Sequence, residues 1–298
     1  MPRLSVVIVN YGSESILADC LRTLESSRRS GLVGVTVVDN ASPGFDAKAL
    51  LAEFPWIQLV VNTDNLGFAA ANNIGIRRSA GEYILLLNPD TRVPNNALAA
   101  MLDYMNRNPM VGAATCRVNL ANGSLDPACH RGFPTPWASL TYFLGLEALL
   151  PRSRLFGRYH MTWQPPSVPH EIDSPSGCFF LVRRSVIEQV GLLDETFFMY
   201  GEDLDWAKRI KEAGWRVMFN PAASITHLKG QASGIKDDCA PDNAVCRSDR
   251  ERAFHAFYDA MRVFYRKHYQ RRYWAPIGWG VMLAINLQER LKRRRLKV

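Results

Sequence analysis

Five carboxylates fall in the short stretch from Asp194 to Asp205 (Asp194, Glu195, Glu202, Asp203 and Asp205), interleaved with Phe197, Phe198 and Tyr200 and followed by Trp206. Apolar neighbours desolvate a carboxylate and raise its pKa toward the range in which it can take a proton from a hydroxyl. If a helix begins here, Glu202, Asp203 and Asp205 cannot all face one way. Some of them then serve only as first-turn acids, stabilised by the helix dipole. That structural role accounts for one or two of the three and leaves Asp203 as the candidate base. His227 closes the strand-like run Ser224-Ile225-Thr226-His227. It is either a packed structural histidine or a neutral imidazole completing a metal shell.

Four further polar clusters follow apolar runs: Asn10-Tyr11, Asp39-Asn40-Ala41-Ser42, Asn65 with Gly67 and Phe68, and Asn88-Pro89-Asp90-Thr91. Any one of them alone reads as an ordinary turn, since Asn, Asp, Gly and Pro dominate turns. Four at one sheet edge point instead to a shared ligand site. Asp39 is placed to accept hydrogen bonds from a nucleobase or ribose. Asp90, at the end of an unbroken leucine run, suits a hard divalent ion that bridges two phosphates.

The elements that must position these residues alternate. Strands are expected at 4–10, 34–40, 57–62 and 83–90, with helices at 14–28, 47–54 and 65–79. Such alternation means a mostly parallel sheet with right-handed crossovers, whose ligands lie at the carboxyl ends of the strands. Residues 120–172 hold Pro127, Pro134, Pro136, Pro151, Pro165, Pro166 and Pro169 and read as a loop-and-helix insertion. The strand-and-helix pattern resumes at 177–184 and runs to about residue 228. Residues 229–248 are polar and irregular. After Asp249 the spacing of Phe254, Phe257, Met261 and Phe264 predicts a helical tail.

Composition bounds the partners. The chain of 298 residues carries a net charge of +8, but from Arg247 onward there are 14 Lys/Arg against 4 Asp/Glu, and the body carries 22 against 24. The basic character belongs to the tail, which attracts polyanions. The body carries no nucleic-acid motif, so nucleic acid is not an expected partner. Six scattered cysteines with no CxxC pair read as buried free thiols. Residues 1–11 read as a strand and not as a leader, so a cytoplasmic location is expected. The chain lacks GxGxxG after its first strand and lacks GxxxxGK[ST], which argues against dinucleotide oxidoreductases and P-loop NTPases.

In order, VVIVNYGS, VVDNAS, NLGFAAANNIGI, LLLNPDT, SGCFFLVRR, LLDETFFMYGEDLDW and the trailing His227 resemble family 2 glycosyltransferases of the GT-A fold, in the rhamnosyltransferase-like branch that builds cell-surface polysaccharides. The likeness covers roughly residues 3–230. It implies an α/β catalytic domain over 1–248, a mostly parallel central sheet flanked by helices, and a C-terminal helical tail over 249–298. The implied reaction is inverting, metal-dependent transfer of a sugar from a nucleotide-diphosphate donor, with dTDP-rhamnose as the best guess. The implied acceptor is a saccharide or a polyprenyl-diphosphate-linked sugar. The donor pocket would hold Asn10, Tyr11, Asp39, Asn40, Asn65, Gly67 and Asn88. Asp90, in the place of the family's DxD motif, would bind Mg²⁺ or Mn²⁺ together with His227. Asp203 would be the base. Glu202, Asp205 and Trp206 would face the acceptor, Trp206 by stacking on a sugar. Asn88 stands where DxD has its first Asp, and Ser174-Pro175 stand where a Trp and a larger apolar residue are expected.

The apolar run 273–287 is shorter than the roughly 20 residues that span a bilayer. With Trp274, Trp279 and flanking Lys/Arg clusters, it fits a helix lying on an anionic membrane surface, on the inner face of the cytoplasmic membrane. The competing reading is a terminal helix packed on the domain. Two other functions compete with sugar transfer. A sugar nucleotidyltransferase would need a basic Gly-rich loop after the first strand, and Tyr11-Gly12-Ser13-Glu14 is not one. A polyanion-binding protein would act through the basic tail alone.

Overall fold

The computed structural model describes residues 2–228 and 247–295. Its first half builds the predicted alternation: β1 (Leu4–Asn10), α1 (Glu14–Arg29), β2 (Val33–Asp39), α2 (Ala47–Glu53), β3 (Gln58–Val61), α3 (Phe68–Arg77) and β4 (Tyr83–Leu87). β1 is buried at all seven positions, as a strand covered by helices on both faces must be. α1 turns Leu17, Cys20, Leu21 and Leu24 inward, the three- and four-residue spacing of an amphipathic helix. α3 lies almost directly on β1. A Cβ added to Gly75 would sit 2.3 Å from a Val7 methyl, so only glycine permits that approach.

β5 (Thr91–Arg92), α4 (Ala97–Arg107) and β6 (Val111–Leu120) follow, then the insertion with α5 (Pro136–Phe143) and α6 (Leu146–Leu149). The chain returns through β7 (His170–Glu171), β8 (Phe179–Arg183), α7 (Arg184–Val190), α8 (Glu202–Glu212) and β9 (Arg216–His227). The sheet order is β3-β2-β1-β4-β8-β6-β9-β5, with β7 pairing to β9. β1 to β4 are mutually parallel, and β6 runs parallel to β9. β8 is antiparallel to both β4 and β6. The sheet is thus mixed but mostly parallel.

Two boundaries lie three residues from the sequence reading, the others within one or two. The strand expected to reach Asp90 ends at Leu87, which frees Asn88-Pro89-Asp90 as a turn. The helix expected from Asn65 begins at Phe68, because Gly67 at φ 86° turns the chain into it.

The tail is helical as predicted: α9 (Arg247–His268) and α10 (Ala275–Arg295). Ala260, Phe264, Tyr265 and Tyr269 of the α9 region pack on Phe197 and Leu204 of the body. α10 lies on α9 through Ile285, with Phe254 and Tyr258 opposite. Among the described residues no helix is long and apolar enough to cross a membrane. Cys20, Cys116, Cys129 and Cys178 are free and buried, as expected. Cys239, Cys246 and nearly all of the polar stretch expected at 229–248 lie outside the described residues.

Candidate active site

The first part of the site is the carboxyl edge of β1 and β2, whose register sets Asn10 beside Asp39. Asn10 donates through Nδ2 to Asp39 Oδ1 at 2.8 Å and to Ser42 Oγ at 3.2 Å. Asp39 Oδ1 also takes the Ser42 hydroxyl at 2.5 Å, and its Oδ2 takes the Ser42 amide at 3.0 Å. Asp39 is fully buried, so both oxygens are already engaged where a base was expected to meet them. Tyr11, half-buried, follows at the strand end. Asn40 staples the next loop. Its Nδ2 reaches Asn65 Oδ1 at 2.8 Å and Gly67 O at 3.3 Å, while its Oδ1 takes Asn62 Nδ2 at 3.0 Å and Leu66 N at 3.1 Å. Asn10, Asp39, Asn40, Asn65 and Gly67 therefore form one continuous wall.

The second part forms where β5 pairs with β9, which sets Thr91 against His227. Asp90 follows β4 and is nearly fully buried. His227 Nε2 lies 3.1 Å from Asp90 Oδ1 and 3.5 Å from Asn88 Nδ2. On its far side, Nδ1 stands 3.5 Å from Asp126 Oδ2, at ion-pair distance but without hydrogen-bond alignment. Burial opposes a charge on His227, yet Cys178, Asp126 and Asp90 together raise its pKa to about 11. The structure thus brings the expected metal pair Asp90 and His227 together and adds Asp126, which the sequence did not single out. Among the described residues no group of three or more His, Cys, Asp or Glu side chains is disposed to hold a metal.

The third part is the first turn of α8. Tyr200 (φ 70°) and Gly201 (φ 83°) both adopt left-handed backbone immediately before it. For Tyr200 this is a costly conformation, of a kind that clusters at functional sites. Phe198 O accepts the Phe68 amide at 2.6 Å, tying this turn to the start of α3. A Cβ on Gly67 would sit 2.4 Å from that carbonyl. Asp203 Oδ2 accepts Arg131 Nη2 at 2.5 Å and Gly177 N at 3.1 Å, and Ser174 Oγ donates to the Asp203 carbonyl at 3.3 Å. The Ser174-Pro175 departure thus forms part of the support for α8. Glu202 is buried beside Asp203, and burial first, then the Asp203 charge, raises its pKa to about 8. Glu202, the immediate neighbour of Asp203, is therefore a desolvated carboxyl with a raised pKa.

Asp205 and Trp206 are placed otherwise than expected. Asp205 is fully buried, with Arg209 Nε at 2.8 Å, His268 Nε2 at 2.7 Å and Lys267 Nζ at 2.7 Å. Burial would raise its pKa, but these three partners hold it down at about 2. It anchors α9 to α8 and has no free face for an acceptor. Trp206 is also fully buried, packs on Phe180 with ring centroids 5.1 Å apart, and donates to Gly191 O at 2.9 Å. It is a core residue with no face open to a sugar.

Among the described residues four buried side-chain polar atoms lack a hydrogen-bond partner: Arg131 Nε, Glu202 Oε2, His227 Nδ1 and Tyr265 OH. Such atoms are rare in native folds because each costs its desolvation. Three of the four lie around the Asp203 and Asp90 clusters. Arg131 was missed by the sequence reading. It sits in the Pro-rich insertion, 72 residues from Asp203, and no local spacing marks it.

Comparison with known proteins agrees with this geometry. Residues 2–238 match the family described as "Glycosyltransferase like family 2". An N-acetylglucosaminyl-diphospho-decaprenol L-rhamnosyltransferase of Mycobacterium tuberculosis is 28% identical over 99% of this chain and 97% of its own. The dTDP-rhamnosyl transferase RfbF of Shigella flexneri is 26% identical over 76% of this chain and 69% of its own. Among solved structures, a Pyrobaculum calidifontis mannosyltransferase in complex with GDP-Man and Mn²⁺ superposes with a TM-score of 0.53 at 18% identity, covering 98% of this chain and 86% of that one. TarS of S. aureus gives 0.54 at 13% identity over 90% of this chain, which spans 39% of TarS. These two show the GT-A fold. By the family match over most of its length, the chain belongs to the family 2 glycosyltransferases, in the rhamnosyltransferase-like branch.

Proposed function

We propose that this glycosyltransferase moves rhamnose from dTDP-rhamnose, with inversion and with help from a divalent cation, onto a lipid-linked saccharide. The observation that carries the reading is the largely buried Arg131–Asp203 pair, with unpartnered polar atoms of Arg131 and Glu202 beside it. The acceptor hydroxyl oxygen attacks the anomeric carbon. Its proton passes to the Asp203 carboxylate, and the bond from the anomeric carbon to the diphosphate oxygen breaks with its electron pair on the nucleoside diphosphate. Arg131 and the Gly177 amide both engage Oδ2, and Oδ1 accepts the Leu204 amide at 2.7 Å, so the lone pair left for the hydroxyl is on Oδ1. The wall from Asn10 to Gly67 receives the nucleoside.

The residues at Asp90 fit Mg²⁺ or Mn²⁺. Asp90 would supply a carboxylate, and His227 could join it only by giving up the proton that its acidic neighbours now hold on it; ions of this kind take their remaining positions from substrate phosphates and water. When bound, the ion would neutralise charge on the departing diphosphate. The mannosyltransferase with Mn²⁺ and the donor and acceptor in the names of the two rhamnosyltransferases support these details.

The tail is read as the attachment to an anionic membrane surface on the cytoplasmic side. α10 has two apolar faces. Val281, Met282 and Ile285 pack inward, while Trp279, Leu283, Leu287 and Leu291 are exposed. Incubation of the protein with dTDP-rhamnose, Mn²⁺ and a prenyl-diphosphate-linked N-acetylglucosamine tests the reading. The expected outcome is release of dTDP and a glycoside of opposite anomeric configuration to the donor. A retained configuration, or faster transfer from another nucleotide sugar, would overturn it.

A further inference from the structure

The insertion carries a surface that neither the sheet nor the tail covers. Trp137, Leu140, Phe143, Leu144, Leu149 and Leu155 are all exposed, Leu144 to 64% and Leu149 to 74%. Soluble surfaces rarely concentrate so many large apolar side chains in one short segment unless a partner covers them. The scaffold beneath is fixed. Thr135 caps α5 by accepting Ala138 N at 3.1 Å, and Trp137 Nε1 donates to Leu155 O at 2.9 Å. The buried carboxylate of Glu147 takes the His160 amide at 3.2 Å and lies 2.5 Å from its Nδ1. Glu147 is also the one acidic residue between 132 and 169, whereas Arg152, Arg154 and Arg158 are all exposed. The patch is therefore apolar with a basic border.

Its position in the fold matters as much as its chemistry. Phe133, at the base of the insertion, meets Phe264 of α9 with ring centroids 6.5 Å apart. Lys208 lies over both Phe133 and Tyr269, at 5.2 Å and 5.7 Å. The insertion and the corner between α9 and α10 are thus neighbours, and that corner exposes Arg271, Arg272 and Trp274. Arg131, which holds Asp203, lies two residues before Phe133.

We infer that the α5–α6 insertion is a second membrane-docking surface, which with the α9–α10 corner seats the mouth of the Asp203 site on a bilayer containing anionic phospholipid. The inference rests on the membrane reading of the tail and adds a contact beside the reacting carboxylate. The leucines and aromatics enter the acyl boundary, and the arginines remain at the headgroups. A lipid-linked acceptor then meets Asp203 without leaving its membrane.

Co-sedimentation of the full chain with vesicles tests this, using phosphatidylcholine alone and phosphatidylcholine mixed with phosphatidylglycerol. Binding to the mixed vesicles is expected to exceed binding to the neutral ones. The double variant Leu144→Glu/Leu149→Glu is expected to lose about tenfold or more of that binding, while its thermal shift with dTDP stays that of the wild type. Where the double variant melts early, Leu149→Glu alone, at the more exposed position, takes its place. If the insertion variant sediments like wild type while Trp279→Glu/Leu283→Glu is released, the inference is overturned and the tail reading stands. Wild-type protein that binds neither kind of vesicle overturns both. Loss of self-association in the insertion variant, with vesicle binding unchanged, assigns the patch to a second copy of the chain and overturns the inference.

Discussion

The two edges of the site are built on opposite plans. Along the wall from Asn10 to Gly67 the polar side chains satisfy one another, with Asp39 engaged at both oxygens and Asn40 at both ends of its amide. Around Asp203 they do not, since Arg131 Nε and Glu202 Oε2 are buried without partners. A saturated wall presents a rigid, pre-shaped surface, which suits recognition of a nucleoside of fixed form. An unsaturated edge stores unmet polar demand that substrate can fill as the reaction proceeds, which suits chemistry. The contrast divides the labour. Substitutions in the wall should act on donor affinity, and substitutions at the edge on turnover.

The largest expected effect comes from the residue that belongs to neither edge. Asp205→Ala removes the buried carboxylate shared by Arg209, Lys267 and His268 and should cost roughly 3–5 kcal/mol of stability, measured by denaturant unfolding. Turnover per folded molecule should be unchanged. A loss of turnover at full stability would return Asp205 to the acceptor side and blur the contrast.

Next is the wall. Asn40→Ala removes the staple between β2 and the loop at 62–67. It should raise the KM for the donor about tenfold with kcat little changed, in steady-state kinetics at saturating acceptor. A fall in kcat with an unaltered KM would mean that the wall takes part in the chemical step.

A pH-dependent effect concerns Glu202. Its pKa is raised from 4.5 to about 8 in the folded protein, so the folded state holds a proton there that the unfolded state has lost. Between those values the unfolded state binds fewer protons, and this group's contribution to stability falls as pH rises through about 8. Glu202→Gln keeps the neutral shape and should flatten that part of the stability curve between pH 5 and 8. A variant that follows the wild-type curve would show that Glu202 is already ionised and that the edge is less desolvated than described.

The same division explains what could be read in the sequence. The wall was legible because each cluster directly follows an apolar strand, and parallel pairing of β1 with β2 brings contiguous motifs to one edge. Asp90 and His227 were legible for the same reason, although the β5–β9 pairing that joins them was not foreseen. Arg131 and Asp126 were illegible because the folding of a long, Pro-rich insertion brings them in, and that leaves no periodicity. Trp206 misled because an aromatic beside acids looks like a sugar platform. Helical geometry instead turns it inward with Ala207 and Ile210. In the tail, an apolar run was evident, but residue type could not say which face would pack on α9 and which would stay exposed. Both faces are apolar.

Asp203 carries the proposed chemistry. In Asp203→Asn, kcat should fall by roughly 10²–10⁴-fold, while calorimetric affinity for the donor nucleotide stays within about twofold of wild type. Near-normal turnover in that variant, or donor affinity lost together with turnover, would contradict the separation of a gripping wall from a reacting edge.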